Sequence, residues 1–207
     1  MKLYYAPGAC SFAPHLVLNE LEQQFEAFPV NLGTKVYTGG DFTKVNPKGS
    51  VPVIETNDGV ILTEVAIIMQ YLVDQSKNET LLPKSGMNRY KVLEWTNFVA
   101  TEVHKTLGSI FYAQKTYTDE SAKTVVTEKT KEIFARKLKF ISESLGTNQY
   151  LTGNNFTIAD AYLFTCLSWK NFLGLDYSMY SNIEAYLERI SQRPSVAKTR
   201  AAEKTNN

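Results

Sequence analysis

Cys10 stands where a short apolar run hands over to a helical pattern, in Pro7-Gly8-Ala9-Cys10-Ser11-Phe12-Ala13-Pro14-His15. A thiol at a helix N-terminus meets the positive end of the helix dipole and unpaired backbone N–H groups. Both lower its pKa from about 8.5 toward the reactive thiolate. Position 13 is alanine, so the pattern is Cys-x-x-Ala and not the Cys-x-x-Cys of a dithiol oxidoreductase. One cysteine cannot resolve its own mixed disulfide; it needs a second thiol from outside. The same residue also reads as a buried core thiol, the commonest fate of a free cysteine. Ser11 and His15 lie near enough along the chain to assist, although a histidine on a first helix is more often structural.

Three further groups of residues suit ligand binding. In Asn46-Pro47-Lys48-Gly49-Ser50-Val51-Pro52-Val53, a proline immediately precedes a strand. Proline cannot sit in a central ladder, so the pattern suggests a turn, with a cis bond that frees the N–H and C=O of Val51 for a peptide ligand. An ordinary loop proline is the plainer reading. At Leu62-Thr63-Glu64-Val65-Ala66 a strand gives way to a helix whose first N–H groups suit an anion, while Glu64 suits an ammonium. Glu64 also fits as a mere complement to the helix dipole. Asn97, Thr101 and His104 fall at i, i+4 and i+7, which puts them on one helix face ending in His104-Lys105. A solvated face gives the same pattern.

The elements that position these residues are legible. Residues 2–5 and 26–30 are strand-like, with a helix over 11–21 between them. Runs 53–56 and 60–62 flank Asn57-Asp58-Gly59, a hairpin turn signal, and a helix follows over 64–75. The order is β-α-β, a short irregular or helical piece at 41–46, then β-β-α. Residues 76–86 carry proline, glycine and serine without periodicity and mark a boundary. Beyond it, helical patterns run over 87–114, 121–145, 157–173 and 181–192, and the polar stretch 201–207 reads as frayed. A small α/β domain followed by a helical bundle permits many functions.

Composition narrows these. A chain of 207 residues with 43% hydrophobic and 21% charged residues can bury a core without disulfides or metals. A net charge of +1 gives no field that argues for nucleic acid or an anionic membrane as partner. Two distant cysteines, Cys10 and Cys166, fit a reducing compartment. No apolar run approaches the roughly 18 residues of a membrane span, and no targeting segment is visible. A soluble, cytoplasmic protein is the expectation.

Taken in order, several blocks resemble the cytosolic glutathione transferases, and within them the beta class of bacteria. They are Met1-Lys2-Leu3-Tyr4-Tyr5 with Pro7-Gly8 and Cys10-Ser11, then Asn46-Pro47-Lys48-Gly49-Ser50-Val51-Pro52 and Leu62-Thr63-Glu64. Glu94-Trp95-Thr96-Asn97, Thr101-Glu102-Val103-His104-Lys105 and Phe156-Thr157-Ile158-Ala159-Asp160-Ala161-Tyr162-Leu163-Phe164 complete the set, so the resemblance covers essentially the whole chain. It implies an α+β fold: a thioredoxin-like N-terminal domain (βαβαββα) over 1–78, a linker at 79–86 and an all-α domain over 87–207.

The resemblance also implies a ligand, glutathione, as co-substrate, with no metal. Val51, before Pro52, would pair with its cysteinyl backbone; Glu64 and the N–H of Val65 would hold its γ-glutamyl end. Lys35 would approach the glycyl carboxylate, and Cys10 would lie beside the sulfur. Asn97, Thr101, Glu102, Val103 and His104 would form the wall supplied by the second domain or a partner subunit of a homodimer. Many relatives carry serine or glycine where this chain has Val65; a lost serine hydrogen bond is worth about 1–1.5 kcal/mol, up to roughly tenfold in affinity. Thr157 and Asp160 match a helix capping box, which is structural, and Cys166 reads as core. The implied reaction joins the glutathione thiolate to a hydrophobic electrophile, a detoxification chemistry. Cys10, Ser11, His104 and Lys105 would share the stabilisation of the thiolate. The electrophile would sit between the domains, near Phe111, Tyr112 and Trp169. Two alternatives are glutathione-dependent thiol–disulfide exchange through a Cys10 mixed disulfide, and a glutathione-transferase-like binding module without catalysis.

Overall fold

The computed structural model describes residues 1–204. The first part is a four-stranded sheet in the order β2-β1-β5-β6. It is built from β1 (Lys2–Tyr5), β2 (Glu26–Pro29), β5 (Val53–Glu55) and β6 (Ile61–Thr63). β1 pairs parallel with β2 and antiparallel with β5, and β5 pairs antiparallel with β6. The parallel pair needs a crossover, and α1 (Phe12–Glu20) supplies it. Alternation along β1 fixes its two faces. Leu3 and Tyr5 pack with α1 and α2 (Val65–Asp74), while Tyr4 packs on the opposite side with Val30, Phe42, Val51 and Val53. Both faces of the sheet are therefore covered. A short 3₁₀ turn at Phe42–Lys44 drives Phe42 into that second cluster. The sequence reading missed a two-residue hairpin, β3 (Val36–Tyr37) with β4 (Gly40–Asp41), whose strands are too short to show a period.

The second part is helical. α3 (Met87–Phe98), a π-helical segment (Val99–His104) and α4 (Lys105–Thr116) form one rod beside α5 (Glu120–Leu145). α6 (Ile158–Leu167) is buried along its whole length, as its apolar sequence demands. Its start is fixed by Asp160, which accepts from the Thr157 N–H at 2.9 Å, the Thr157 hydroxyl at 2.7 Å and the Leu151 N–H at 2.9 Å. The helix expected over 157–173 is interrupted: it tightens at Ser168-Trp169, where the Trp169 N–H bonds Cys166 O, and resumes as the short α7 (Lys170–Leu173). α8 (Ser181–Ser191) follows as expected.

The tail corrects the sequence reading. Residues 194–204 form α9 (Pro194–Lys204), opened by a proline in the first-turn position that suits it. Ser195, Val196, Thr199 and Glu203 are its buried residues, and the helix packs along α1. Three of the four are polar, which hid the stripe; the fraying expected over 201–207 does not hold for 201–204, and 205–207 lie outside the described residues. α1 touches α6 and α9, so one core runs through both parts of the chain. Cys166 lies fully buried in it. Among the described residues no helix is long and apolar enough to cross a membrane.

Candidate functional site

The loop from β1 to α1 carries Cys10, and it is tied at both ends. The Ser11 hydroxyl is fully buried. It accepts from the Ala6 N–H at 3.0 Å and donates to the Ala6 C=O at 3.2 Å, closing the turn. Ser11 is thus a structural clasp and not a side-chain donor to a ligand sulfur, which corrects the role given to it above. Gly8, at φ +71, is held from the helical domain on both of its peptide groups. Its N–H donates to Glu203 Oε2 at 3.0 Å, and its C=O accepts from the Trp169 indole at 2.9 Å. Glu203 Oε1 lies 3.1 Å from His15 Nδ1, so His15 is a buried partner of the tail helix. Glu203 was invisible to sequence reasoning because it sits in a polar stretch. No spacing signals that it reaches a loop 195 residues away.

Cys10 itself differs from expectation in its charge. Burial pushes its thiol up to about 12; the backbone N–H groups of Cys10 and Ser11 pull the other way, and the carboxylate of Glu64 adds to the rise. The helix N-terminus is present, but desolvation outweighs it. Cys10 is therefore a protonated thiol at neutral pH. Its Sγ lies 3.4 Å from Val51 O, so the S–H donates to that carbonyl. The Val51-Pro52 bond is cis, as the sequence suggested.

Glu64 occupies the step from β6 into α2 at φ +73, a left-handed conformation rare outside glycine. Such strain costs on the order of 1–3 kcal/mol and persists only where the surroundings enforce it. Its exposed carboxylate pairs with Lys48 at 2.5 Å, and Lys48 also reaches Thr63 Oγ1 at 2.9 Å. An exposed pair is worth only about 0–1 kcal/mol, so a ligand ammonium can displace Lys48 cheaply. Val65 turns its side chain into the core, at the first position of α2. Lys35, also at positive φ, donates to Gly49 O at 2.7 Å beside the same loop.

The polar row on the long rod is only partly as drawn. Regular α spacing fails where the π-helical segment widens the turn, a feature that often marks functional sites. Asn97 and Thr101 are exposed, and Thr101 bonds back to Asn97 O. Glu102 pairs with Lys137 of α5. Val103 is fully buried in the core, so only its backbone is left to line a ligand site. Lys105 is exposed, and its charge lowers the His104 pKa. His104 turns inward, with its Nδ1 2.7 Å from the Tyr162 hydroxyl and its ring 5.4 Å from Trp169. Burial is the first cause of its lowered pKa, followed by Lys105; Glu64 opposes both. Burial raises the pKa of Tyr162, and the charge on Glu64 adds to the rise. Cys10, Glu64, His104 and Tyr162 thus share one electrostatic neighbourhood.

Of the three aromatic residues proposed for an electrophile, Phe111 and Trp169 meet edge to face at 5.5 Å next to His104. Tyr112 is 71% exposed and stands apart from that wall. A cavity of about 440 Å³ opens on another side of Trp169, lined by Gly8, Phe12, Phe164 and Arg200. Among the described residues no cluster of three or more His, Cys, Asp or Glu could hold a metal.

Known proteins share this fold. The family described as Glutathione S-transferase, N-terminal domain, matches residues 1–74, and Glutathione S-transferase, C-terminal domain, matches residues 98–194. The chain is 40% identical to glutathione S-transferase GstA of Escherichia coli O157:H7, over 98% of each. It is similar to a sphingomonad glutathione S-transferase solved in complex with glutathione, at 35% identity and a TM-score of 0.90, over 98% of both chains. A bacterial beta class glutathione S-transferase of Sphingomonas chungbukensis matches at 35% identity and a TM-score of 0.89, over 98% of both chains. With a family match in each half and such identity over nearly its full length, the chain belongs to the glutathione S-transferase family.

Proposed function

We propose that the protein is a beta-class, cytoplasmic, homodimeric glutathione transferase that joins the glutathione thiolate to hydrophobic electrophiles. Residues 1–78 carry glutathione, residues 87–207 supply the helical wall, and 79–86 join them. The observation that carries the chemistry is Cys10 as a protonated, hydrogen-bond-donating thiol between Val51 and the helix start. A thiol of that kind stabilises a neighbouring thiolate once its S–H turns from Val51 O, which then accepts from the cysteinyl N–H of glutathione; it does not attack a disulfide. Glutathione lies with its cysteinyl backbone on Val51, its ammonium on Glu64 in place of Lys48, its γ-glutamyl carboxylate on the Val65 N–H, and its glycyl carboxylate toward Lys35. His104 and the backbone N–H of Ser11 face its sulfur, and Phe111 and Trp169 face the electrophile. Exposed Ile61, Ile67, Met87 and Tyr90 support a second copy of the chain as the partner that covers them, with Asn97 and Thr101 facing that copy's site.

Bringing the thiolate to a fixed place beside the electrophile replaces a bimolecular encounter in water. Cys10 contributes one hydrogen bond to it, so Cys10→Ala lowers chlorodinitrobenzene conjugation by no more than about tenfold. Loss of all conjugation in a folded Cys10→Ala protein rejects this role and favours exchange through a mixed disulfide. Light scattering of the same preparations, at twice the 23.4 kDa chain mass, checks the dimer.

A further inference from the structure

His104 has two ring nitrogens, and the structure distinguishes them. Nδ1 lies 2.7 Å from the Tyr162 hydroxyl, and Nε2 has no protein partner among the described residues. The two rings meet nearly edge to face at 5.7 Å, and Trp169 closes another side of the imidazole at 5.4 Å, so the ring is held in place. Tyr162 is 3% exposed and projects from α6. Burial raises its pKa, with the charge of Glu64 adding to the rise, so it keeps its proton.

That proton decides the tautomer. Among the described residues, His104 Nδ1 is the one hydrogen-bond partner of the phenol. If Nδ1 carried a hydrogen and donated to the Tyr162 oxygen, the buried phenol O–H would point at nothing, an arrangement folded proteins avoid. If Tyr162 donates, Nδ1 must be bare and the imidazole hydrogen must sit on Nε2. A protonated imidazolium would recreate the same conflict, and burial already disfavours it.

We propose that Tyr162 is a positioning residue that fixes His104 with its hydrogen on Nε2, presenting that N–H as a donor to the sulfur of glutathione. The placement of glutathione rests on the function proposed above; the tautomer does not. In this arrangement the glutathione thiol gives its proton to solvent, the neutral donor that the phenol has aligned holds the resulting thiolate, and no proton leaves His104 during conjugation. A neutral donor also leaves the electrophile free to take the sulfur lone pair, because the thiolate is stabilised without being reprotonated.

The test is imidazole ¹⁵N NMR on the full-length protein without ligand. The chain has two histidines, and His15 serves as the second, separately assigned signal. Wild-type His104 is expected to show an N–H at Nε2 and a bare Nδ1 at neutral pH. Tyr162→Phe is expected to yield a mixture of tautomers and to lower kcat about five- to tenfold, the size of one hydrogen bond, with the KM for glutathione unchanged within about twofold. An N–H at Nδ1 in the wild type overturns the proposal without any variant being needed. So does a Tyr162→Phe protein that keeps both the tautomer and kcat. An Nε2 hydrogen in a wild-type protein that conjugates no electrophile leaves the tautomer standing and rejects the functional reading instead.

Discussion

At pH 7.5 Cys10 reacts with a small disulfide reagent about fiftyfold more slowly than a thiol of ordinary pKa. The slowing follows from a thiol pKa raised to about 12 against an ordinary value of 9.0. Three units leave about a thousandth of the usual thiolate fraction. A more basic thiolate is intrinsically more nucleophilic, by a Brønsted slope of about 0.4–0.5, which returns about twentyfold. Partial burial slows access further. The measurement uses Cys166→Ala, so that Cys10 is the one protein thiol. Its rate should rise about tenfold per pH unit from 7 to 10, because the thiolate fraction does so below the pKa. A rate matching free glutathione, or one that levels off below pH 9, would show an activated thiolate and restore the exchange reading.

Asp160→Ala destabilises the fold by about 3–5 kcal/mol without changing the chemistry of the molecules that remain folded. The carboxylate is wholly buried and receives both the N–H and the hydroxyl of Thr157, the N–H of Leu151 and, at 3.1 Å, the hydroxyl of Tyr186. Truncation leaves both Thr157 donors and the Leu151 N–H without an acceptor at the start of the helix that carries Tyr162, and leaves the Tyr186 hydroxyl only its longer bond to Asp160 O at 3.4 Å. Removing one side of such a buried network costs this much, because each stranded donor has given up water. Against a total stability of about 5–15 kcal/mol the loss is large. With a urea slope of about 1–3 kcal/mol/M, the midpoint falls by about 1–2 M or more. Asp160→Asn, which keeps one acceptor oxygen, loses roughly half as much. A midpoint shift below about 0.3 M for the alanine variant would contradict the structural role.

How much of this was legible in the sequence varied with how local the cause was. β1, the 57–59 turn, α1, α2 and the Thr157–Asp160 box are set by residues near one another, and they fell where the pattern put them. The Val51-Pro52 turn was legible for the same reason. Three features had non-local causes. Glu203 holds Gly8 across the whole chain, from a helix whose buried row is mostly polar. The π-helical segment turns His104 toward Tyr162, which a fixed spacing of 3.6 residues does not anticipate. The pKa of Cys10 was read with the wrong sign because the helix dipole is visible in sequence and desolvation is not. Ser11 was misassigned on proximity alone: its hydroxyl was already committed to Ala6.

The central claim is that the reactive thiolate belongs to glutathione and not to Cys10. Ultraviolet difference spectroscopy of the wild-type protein reads it directly, because a thiolate absorbs where a thiol does not. The account predicts one thiolate per subunit on adding glutathione at neutral pH, and none with S-methylglutathione, whose sulfur cannot ionise. A thiolate signal in the protein alone, or with S-methylglutathione bound, would place the charge on Cys10 and contradict the account.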